Sequence, residues 1–444
     1  LDPAPQPAPA NQPSSTRIRR FKRFILLATL AAVALTIASF RVGRYYAVET
    51  WNTVRRAVIY QVTGLTPDRA EIEADWKRRR NLTLQSTEET LRKFYDGTDE
   101  NMRALFRVAG MDPEHGLVRY GRADQTFLIS SKVFERDDSG RSYRFLPNTR
   151  SIWLRQVVLL NGPFSLLLVP NTPEVREAAG RAGAIVDEPS ATTTNSWGLR
   201  GPEPDPSAPL RGVILGDSFM QGMFSPDDQT PPVHLARRLS ELRGTAVSVA
   251  NTGHMGYSPE QYFYSLKEYG ERMKPHFVVV SVCPNDFGSE FDILQGRPDW
   301  IAEAEYWIEQ IYGWCRARNV TCLVVPIPSF PQVESTRKDG FYPGLVNNIF
   351  HGPPASYCDP LERFINENLK LKIKTRASGG SFSRSPLYNR HIDDEHLSPK
   401  GAEVWADVVA ERLSLWMTAT ADGSPAPPPP SAVTSGSSAS EPRQ

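Results

Sequence analysis

The sequence predicts an α/β protein whose main domain, residues 194–417, is a three-layer α/β/α arrangement around a parallel sheet. Three observations carry this. After residue 210, apolar runs of strand length alternate with stretches of helix length. Two of the runs, FVVVSV and CLVVPI, are almost unbroken in hydrophobicity, as expected of strands covered on both faces. Unusual polar residues stand where the runs end, at the carboxyl edge of a parallel sheet, and α/β folds bind their ligands there.

The elements follow in order. Strands are expected at 212–215, 246–250, 277–282 and 321–326, and helices at about 230–243, 258–269, 299–317, 360–371 and 398–416. Ser258, Pro259 and Gln261 form a capping box that opens the second helix, leaving Asn251 to Tyr257 as a loop. Ser398 and Pro399 open the last helix.

Ahead of this domain, residues 1–23 read as a disordered basic tail, and 24–40 (FILLATLAAVALTIASF) as a transmembrane signal anchor. Arg41 and Arg44 stand where a cleavage site needs small neutral residues, and Tyr45, Tyr46 and Trp51 suit a membrane interface. The basic cluster from Arg17 to Arg23 then keeps the amino terminus in the cytoplasm, with the catalytic domain on the periplasmic or extracellular side. Residues 41–116 carry helical patterns and 117–193 form a small β-rich segment. In the latter, QTFLISSKVFE and RSYRFL flank the turn RDDSG, and SIWLRQVVLL and FSLLLVP flank NGP. Residues 418–444 are a Pro/Ser-rich tail, expected to be disordered.

Composition excludes some functions. The 444 residues, 40% of them hydrophobic, suffice for at least one full core. A balance of 51 basic against 50 acidic residues gives no reason to expect a nucleic-acid partner. Cys283, Cys315, Cys322 and Cys358 allow up to two disulfides in an oxidising compartment, but their spacing does not suggest zinc. No phosphate loop or nucleotide fingerprint is present, so neither cofactor nor metal is expected.

Four junctions concentrate the polar signal: GDSFMQG after the first strand, NTGHMGYS after the second, CPNDFG after the third, and IDDEHLSPKG before the last helix. Each alone reads as an ordinary turn or loop. Their combination, order and common sheet edge point to a site.

With these motifs the sequence resembles the SGNH (GDSL-like) hydrolase superfamily, and TNSWGLRGPE at 194–203 resembles a membrane-anchored bacterial branch of it. The resemblance covers about 194–417, and weakly FLPNTR at 145–150. It implies a flavodoxin-like sheet and a serine ester hydrolase working through an acyl-enzyme. Ser218 would be the nucleophile, His396 the general base and Asp393 the acid that orients the imidazole. The oxyanion donors would be the backbone N–H of Ser218, the backbone N–H of Gly256 and the side-chain amide of Asn285.

Two positions depart from the pattern. Cys283 and Pro284 stand where Gly-x is usual before Asn-Asp, and Phe219 replaces leucine. Asp394 adjoins Asp393, but Asp393 alone has the three-residue spacing to His396. His254 and His391 read as polar loop residues, Met220, Met223 and Phe224 as core beside the nucleophile, and Cys283 as a buried inert thiol. The expected substrate is an ester-bearing small molecule, lipid or glycan. The same triad would equally serve an O-acyltransferase modifying an envelope polysaccharide, and an inactive binding or scaffold module is the reading from another class. Oligomeric state is not legible.

Overall fold

The computed structural model describes residues 92, 95–120, 126–155, 166–287, 299–335, 357–380, 385–389 and 396–421. All of them belong to the larger of two compact units, Asp68–Gly288 with Asp299–Gln444. The predicted anchor at 24–40 and both terminal tails lie outside the described residues. Among the described residues no helix is long and apolar enough to cross a membrane.

The chain first builds a small module. Helix α1 (Glu100–Ala109) is followed by two hairpins, β1 (Leu117–Tyr120) with β2 (Thr126–Ile129), and β3 (Phe134–Asp137) with β4 (Ser142–Phe145). Strands β5 (Arg150–Arg155) and β6 (Leu166–Pro170), helix α2 (Pro173–Arg181) and strand β7 (Ile185–Thr193) complete it. Strand β5 is central, antiparallel to both β6 and β7. Ile152 and Leu154, two apart and so on one face, pack with Leu105 and Phe106 of α1 and Val175 and Ala178 of α2. Trp153 points to the other face, where its ring meets Phe224 at 5.3 Å.

Two features of this module differ from the sequence expectation. QTFLISSKVFE is not one strand but two, because Ser130 leaves the ladder and donates its hydroxyl to Ala109 O at the end of α1. The segment 117–193 also contains α2 and the edge strand β7, which Asp187, Glu188 and Pro189 disguise; proline is tolerated there because one side of an edge strand needs no ladder partner.

The main sheet consists of β8 (Leu210–Leu215), β9 (Val247–Asn251), β10 (Phe277–Val282) and β11 (Thr321–Pro326), all parallel, in the order β11-β10-β8-β9. The order reverses between β8 and β10, and their carboxyl ends mark the switch point at which α/β folds bind ligands. Between the strands run the short helix α3 (Ser218–Gln221), α4 (Pro231–Arg243), α5 (Pro259–Met273) and α6 (Asp299–Ala317). After β11 come α7 (Phe330–Ser335), α8 (Leu361–Ala377) and α9 (Pro399–Ala421).

Every residue of β10 is buried, as the FVVVSV run predicts for a strand with two covered faces. On one face Leu235 and Leu239 of α4 and Trp405, Val409 and Leu413 of α9 close over Ile214, Val279 and Leu323. On the other face lie α5 and α6, with Leu266 and Ile311 fully buried. The four cysteines are free thiols, so no disulfide constrains this packing.

Leu239 is fully buried, whereas Leu415 on α9 is 59% exposed. Leu239→Ala is expected to cost about 2–5 kcal/mol in urea-unfolding experiments, and Leu415→Ala less than about 0.5 kcal/mol.

Candidate active site

Strand β8 ends at Leu215, and after Gly216 the chain turns into α3, with Asp217 as its cap: Asp217 Oδ1 accepts the N–H of Phe219 at 3.0 Å. Ser218 is the first helical residue and is 8% exposed. His396, just ahead of α9, places Nε2 2.8 Å from Ser218 Oγ although 178 residues separate them. Phe219 stacks on the imidazole, with ring centres 4.8 Å apart, and Phe224 meets it edge-on at 5.5 Å. The backbone beside it is tied as well: Asn389 N donates to His396 O at 2.8 Å, and Asn389 Nδ2 to Leu397 O at 2.9 Å. An imidazole so held can take the serine proton if its own proton sits on Nδ1. Asp393, the residue expected to fix that tautomer, lies outside the described residues, as do Asp394 and His391.

Asn285 stands in the helical turn Pro284–Phe287 that follows β10. Its Nδ2 donates to Asp217 Oδ2 at 3.3 Å, and Cys283 Sγ donates to its Oδ1 at 2.6 Å. Cys283 Sγ also lies 3.0 Å from Asp217 Oδ2. One thiol proton cannot serve both oxygens. Whichever oxygen the thiol serves, Asn285 keeps Nδ2 toward the carboxylate, where that contact is favourable. Burial and the carboxylates of Asp217 and Asp286 push the Cys283 thiol well above its ordinary range, so it stays protonated. Asp286 is itself held by Cys283 N at 2.9 Å and Tyr262 OH at 3.0 Å. The cysteine is therefore inert as a thiol and lies within hydrogen-bond distance of both Asn285 and Asp217.

The loop after β9 lies against α3. Gly253 leaves no room for a side chain, since a Cβ there would come within 2.4 Å of Gln221 N. Met255 N donates to Gln221 Oε1 at 2.6 Å, and Gly256 follows with a φ of 67°, a conformation that favours glycine. The structure thus brings Ser218 and His396 into contact, joins Asn285 to the Asp217 that caps the same turn, and seats the Gly256 loop on α3.

Arg200 is the residue that sequence reading missed. The motif GLRG is visible in the sequence, but a buried arginine has no sequence signature. Its guanidinium, 1% exposed as a residue, donates to Gln221 O (3.1 Å), Gly222 O (2.6 Å), Ser225 O (2.5 Å) and Ala191 O (3.4 Å), and Nε donates to Asp227 Oδ1 (2.8 Å). Three of those carbonyls belong to the end of α3 and the turn after it, where a short helix leaves its acceptors unpaired. Among the described residues Asp112, Glu114 and His115 have ligand atoms converging within 4.8 Å. Asp112 Oδ1 already accepts Glu114 N and meets His115 Nδ1 at 2.8 Å, which is an ordinary turn.

No known family and no curated protein matches the chain in sequence. Among solved structures it is similar to the psychrotrophic esterase EstA from Pseudoalteromonas sp., at 14% identity over 47% of this chain and 98% of that one, with a TM-score of 0.30. It is also similar to an acetyl xylan esterase (16% identity, 46% of this chain and 98% of that one, TM-score 0.34). A third is a two-domain esterase active on acetylated mannans (15% identity, 50% of this chain and 53% of that one, TM-score 0.35). These likenesses are distant, and the Ser218–His396 geometry carries the functional reading.

Arg200→Met strands several buried acceptors in the turn that follows Ser218. The expected loss is about 3–5 kcal/mol of unfolding free energy, read from the urea midpoint; a loss below about 1 kcal/mol would contradict this role.

Proposed function

We propose that the chain is a serine ester hydrolase of the SGNH type, acting through an acyl-enzyme on Ser218. The observation that carries this reading is the 2.8 Å contact between Ser218 Oγ and His396 Nε2 at the carboxyl edge of a parallel sheet. A serine hydroxyl is a weak nucleophile at neutral pH, and an imidazole in hydrogen-bond contact is what activates it.

In this mechanism Ser218 Oγ attacks the ester carbonyl while its proton passes to His396 Nε2. The charge on the former carbonyl oxygen is met by the N–H of Ser218, the N–H of Gly256 and Asn285 Nδ2, each donor contributing roughly 3 kcal/mol in the transition state. His396 returns the proton to the departing alkoxide. Water then attacks the acyl-enzyme with His396 as base, the bond from the acyl carbon to Ser218 Oγ breaks, His396 returns its proton to that oxygen as the carboxylic acid leaves, and Asp393 holds the imidazole in the required tautomer throughout. No step needs a metal or an organic cofactor from outside.

The substrate is an ester-bearing small molecule, lipid or glycan. With residues 24–40 as the anchor, the reaction takes place on the outer side of the cytoplasmic membrane; the uncharged run and the basic cluster before it support that placement.

Ser218→Ala and His396→Ala are each expected to lower p-nitrophenyl acetate turnover at least ~10³-fold with the fold retained. Asn285→Ala is expected to lower kcat about 10²–10³-fold. Acyl release that requires an added polysaccharide acceptor would redirect the reading to an O-acyltransferase with the same residues. Absence of both turnover and Ser218 labelling by a fluorophosphonate would leave a binding module. For the anchor, the full chain is expected to stay with membranes through a carbonate wash, and to be released from them when residues 24–40 are deleted.

A further inference from the structure

The β3–β4 hairpin belongs to the small module, yet its inner face is spent on the loop that carries Gly256. His254, expected from sequence to be a polar loop residue, is 4% exposed and ringed by Phe145 (4.3 Å between ring centres), Tyr257 (4.5 Å), Tyr143 (4.9 Å) and Phe134 (5.5 Å). Its own N–H donates to Gly216 O at 3.2 Å, two residues before Ser218. Tyr257 OH donates to Tyr143 O at 2.5 Å, and Gln261 Nε2 donates to Arg141 O at 3.3 Å. Arg141, 1% exposed, ties the hairpin turn to itself through Asp137 and to α5 through Glu268. The loop is thereby held between α3 on one side and the hairpin on the other.

One contact in this set bears directly on chemistry. Tyr143 OH donates to Met255 O. The carbonyl of Met255 and the N–H of Gly256 belong to a single peptide group, which is planar, and in the trans form its C=O and N–H point in opposite directions. Whatever fixes the Met255 carbonyl therefore aims the Gly256 N–H. A hydrogen bond received by the carbonyl also polarises the peptide and strengthens its N–H as a donor. On the other side of the same Cα, Met255 N is held by Gln221 Oε1 at 2.6 Å, so the peptide before Met255 and the peptide after it are each held by a side chain.

We infer that Tyr143 is a positioning residue: its hydroxyl, by holding Met255 O, orients the Gly256 N–H as an oxyanion donor, and the hairpin is part of the catalytic apparatus. This rests on the proposed hydrolase reading, in which Gly256 supplies that donor. Tyr143 touches no reacting atom. Its effect belongs in kcat rather than KM, because a donor aimed at the oxyanion acts on the transition state and little on the bound ester.

The test compares Tyr143→Phe with Tyr257→Phe in the full chain. Both remove one hydroxyl from the hairpin–loop contact, but only Tyr143 reaches the Met255–Gly256 peptide. Tyr143→Phe is expected to lower kcat for p-nitrophenyl acetate about 10-fold with KM within about twofold, while Tyr257→Phe, which loosens the hairpin–loop contact but leaves the hydroxyl on Met255 O in place, lowers kcat by a clearly smaller factor. An aryl trifluoromethyl ketone supplies the second readout. Ser218 Oγ adds to its carbonyl carbon, the C=O π pair moves to oxygen as a negative charge, and the serine proton goes to His396. Its inhibition constant is expected to rise in Tyr143→Phe by the same factor as kcat falls.

Amide hydrogen exchange over 252–258 is the third readout and needs no turnover; it is expected to be faster in Tyr143→Phe than in wild type. Equal kcat losses in the two variants, or a loss confined to KM, would overturn the inference. So would unchanged exchange over 252–258. If the wild type shows no Ser218-dependent turnover, the hydrolase reading fails instead, and exchange alone decides whether Tyr143 holds the loop.

Discussion

The turn that carries Ser218 is so tight that its backbone must be satisfied from outside. Helix α3 spans four residues, too few to stabilise itself, and the chain after it passes through Gly222 and Phe224 at φ values of 75° and 64°. A phenylalanine in that region is strained, and strain of this kind persists only where surrounding contacts over-determine it. The five N–H groups of Arg200 supply much of that determination, reaching three carbonyls of the turn, one of β7 and one carboxylate. Asp227, which pairs with Arg200, also receives the N–H of Thr193 at 3.0 Å, so the end of β7 is tied into the same network. Ser218 keeps its place because a buried guanidinium holds the carbonyls behind it.

The same economy governs the rest of the site. Phe224, held by this turn, forms one wall of the seat of His396, and Trp153 of the small module backs it. Asp217 caps the helix with one oxygen and orients Asn285 with the other, while the Cys283 thiol lies against the carbonyl side of the asparagine. Buried polar atoms in such a region have to be paired, and the pairing that satisfies them also aims them. Preorganised donors of this sort cost no rearrangement when charge develops, which is why the arrangement suits acyl transfer chemistry.

The small module is therefore joined to the site rather than only placed before it. Its hairpin grips the loop after β9, and its central strand supplies Trp153. The sequence offers no hint of this, because Phe134, Tyr143 and Phe145 read simply as the apolar positions of an alternating strand. Their partners lie more than a hundred residues further along the chain.

Much of the architecture is legible in the amino-acid sequence. Unbroken runs of valine and leucine can only be comfortable between two helical layers, so the parallel sheet, its four strands and the junctions that bear Ser218, Asn251, Asn285 and His396 followed from hydrophobic pattern and helix-opening motifs. What remained hidden has a common cause. Arg200 reads as a surface charge until its carbonyl partners converge on it, β7 is masked by charged residues and a proline, and Cys283 looks unrelated to the candidate site until its thiol is seen between Asp217 and Asn285. Local chemistry, repeated along the chain, determined the elements and the residue types at their ends. Contacts between residues far apart in sequence, which no periodicity encodes, decided which of those residues meet and what holds them there.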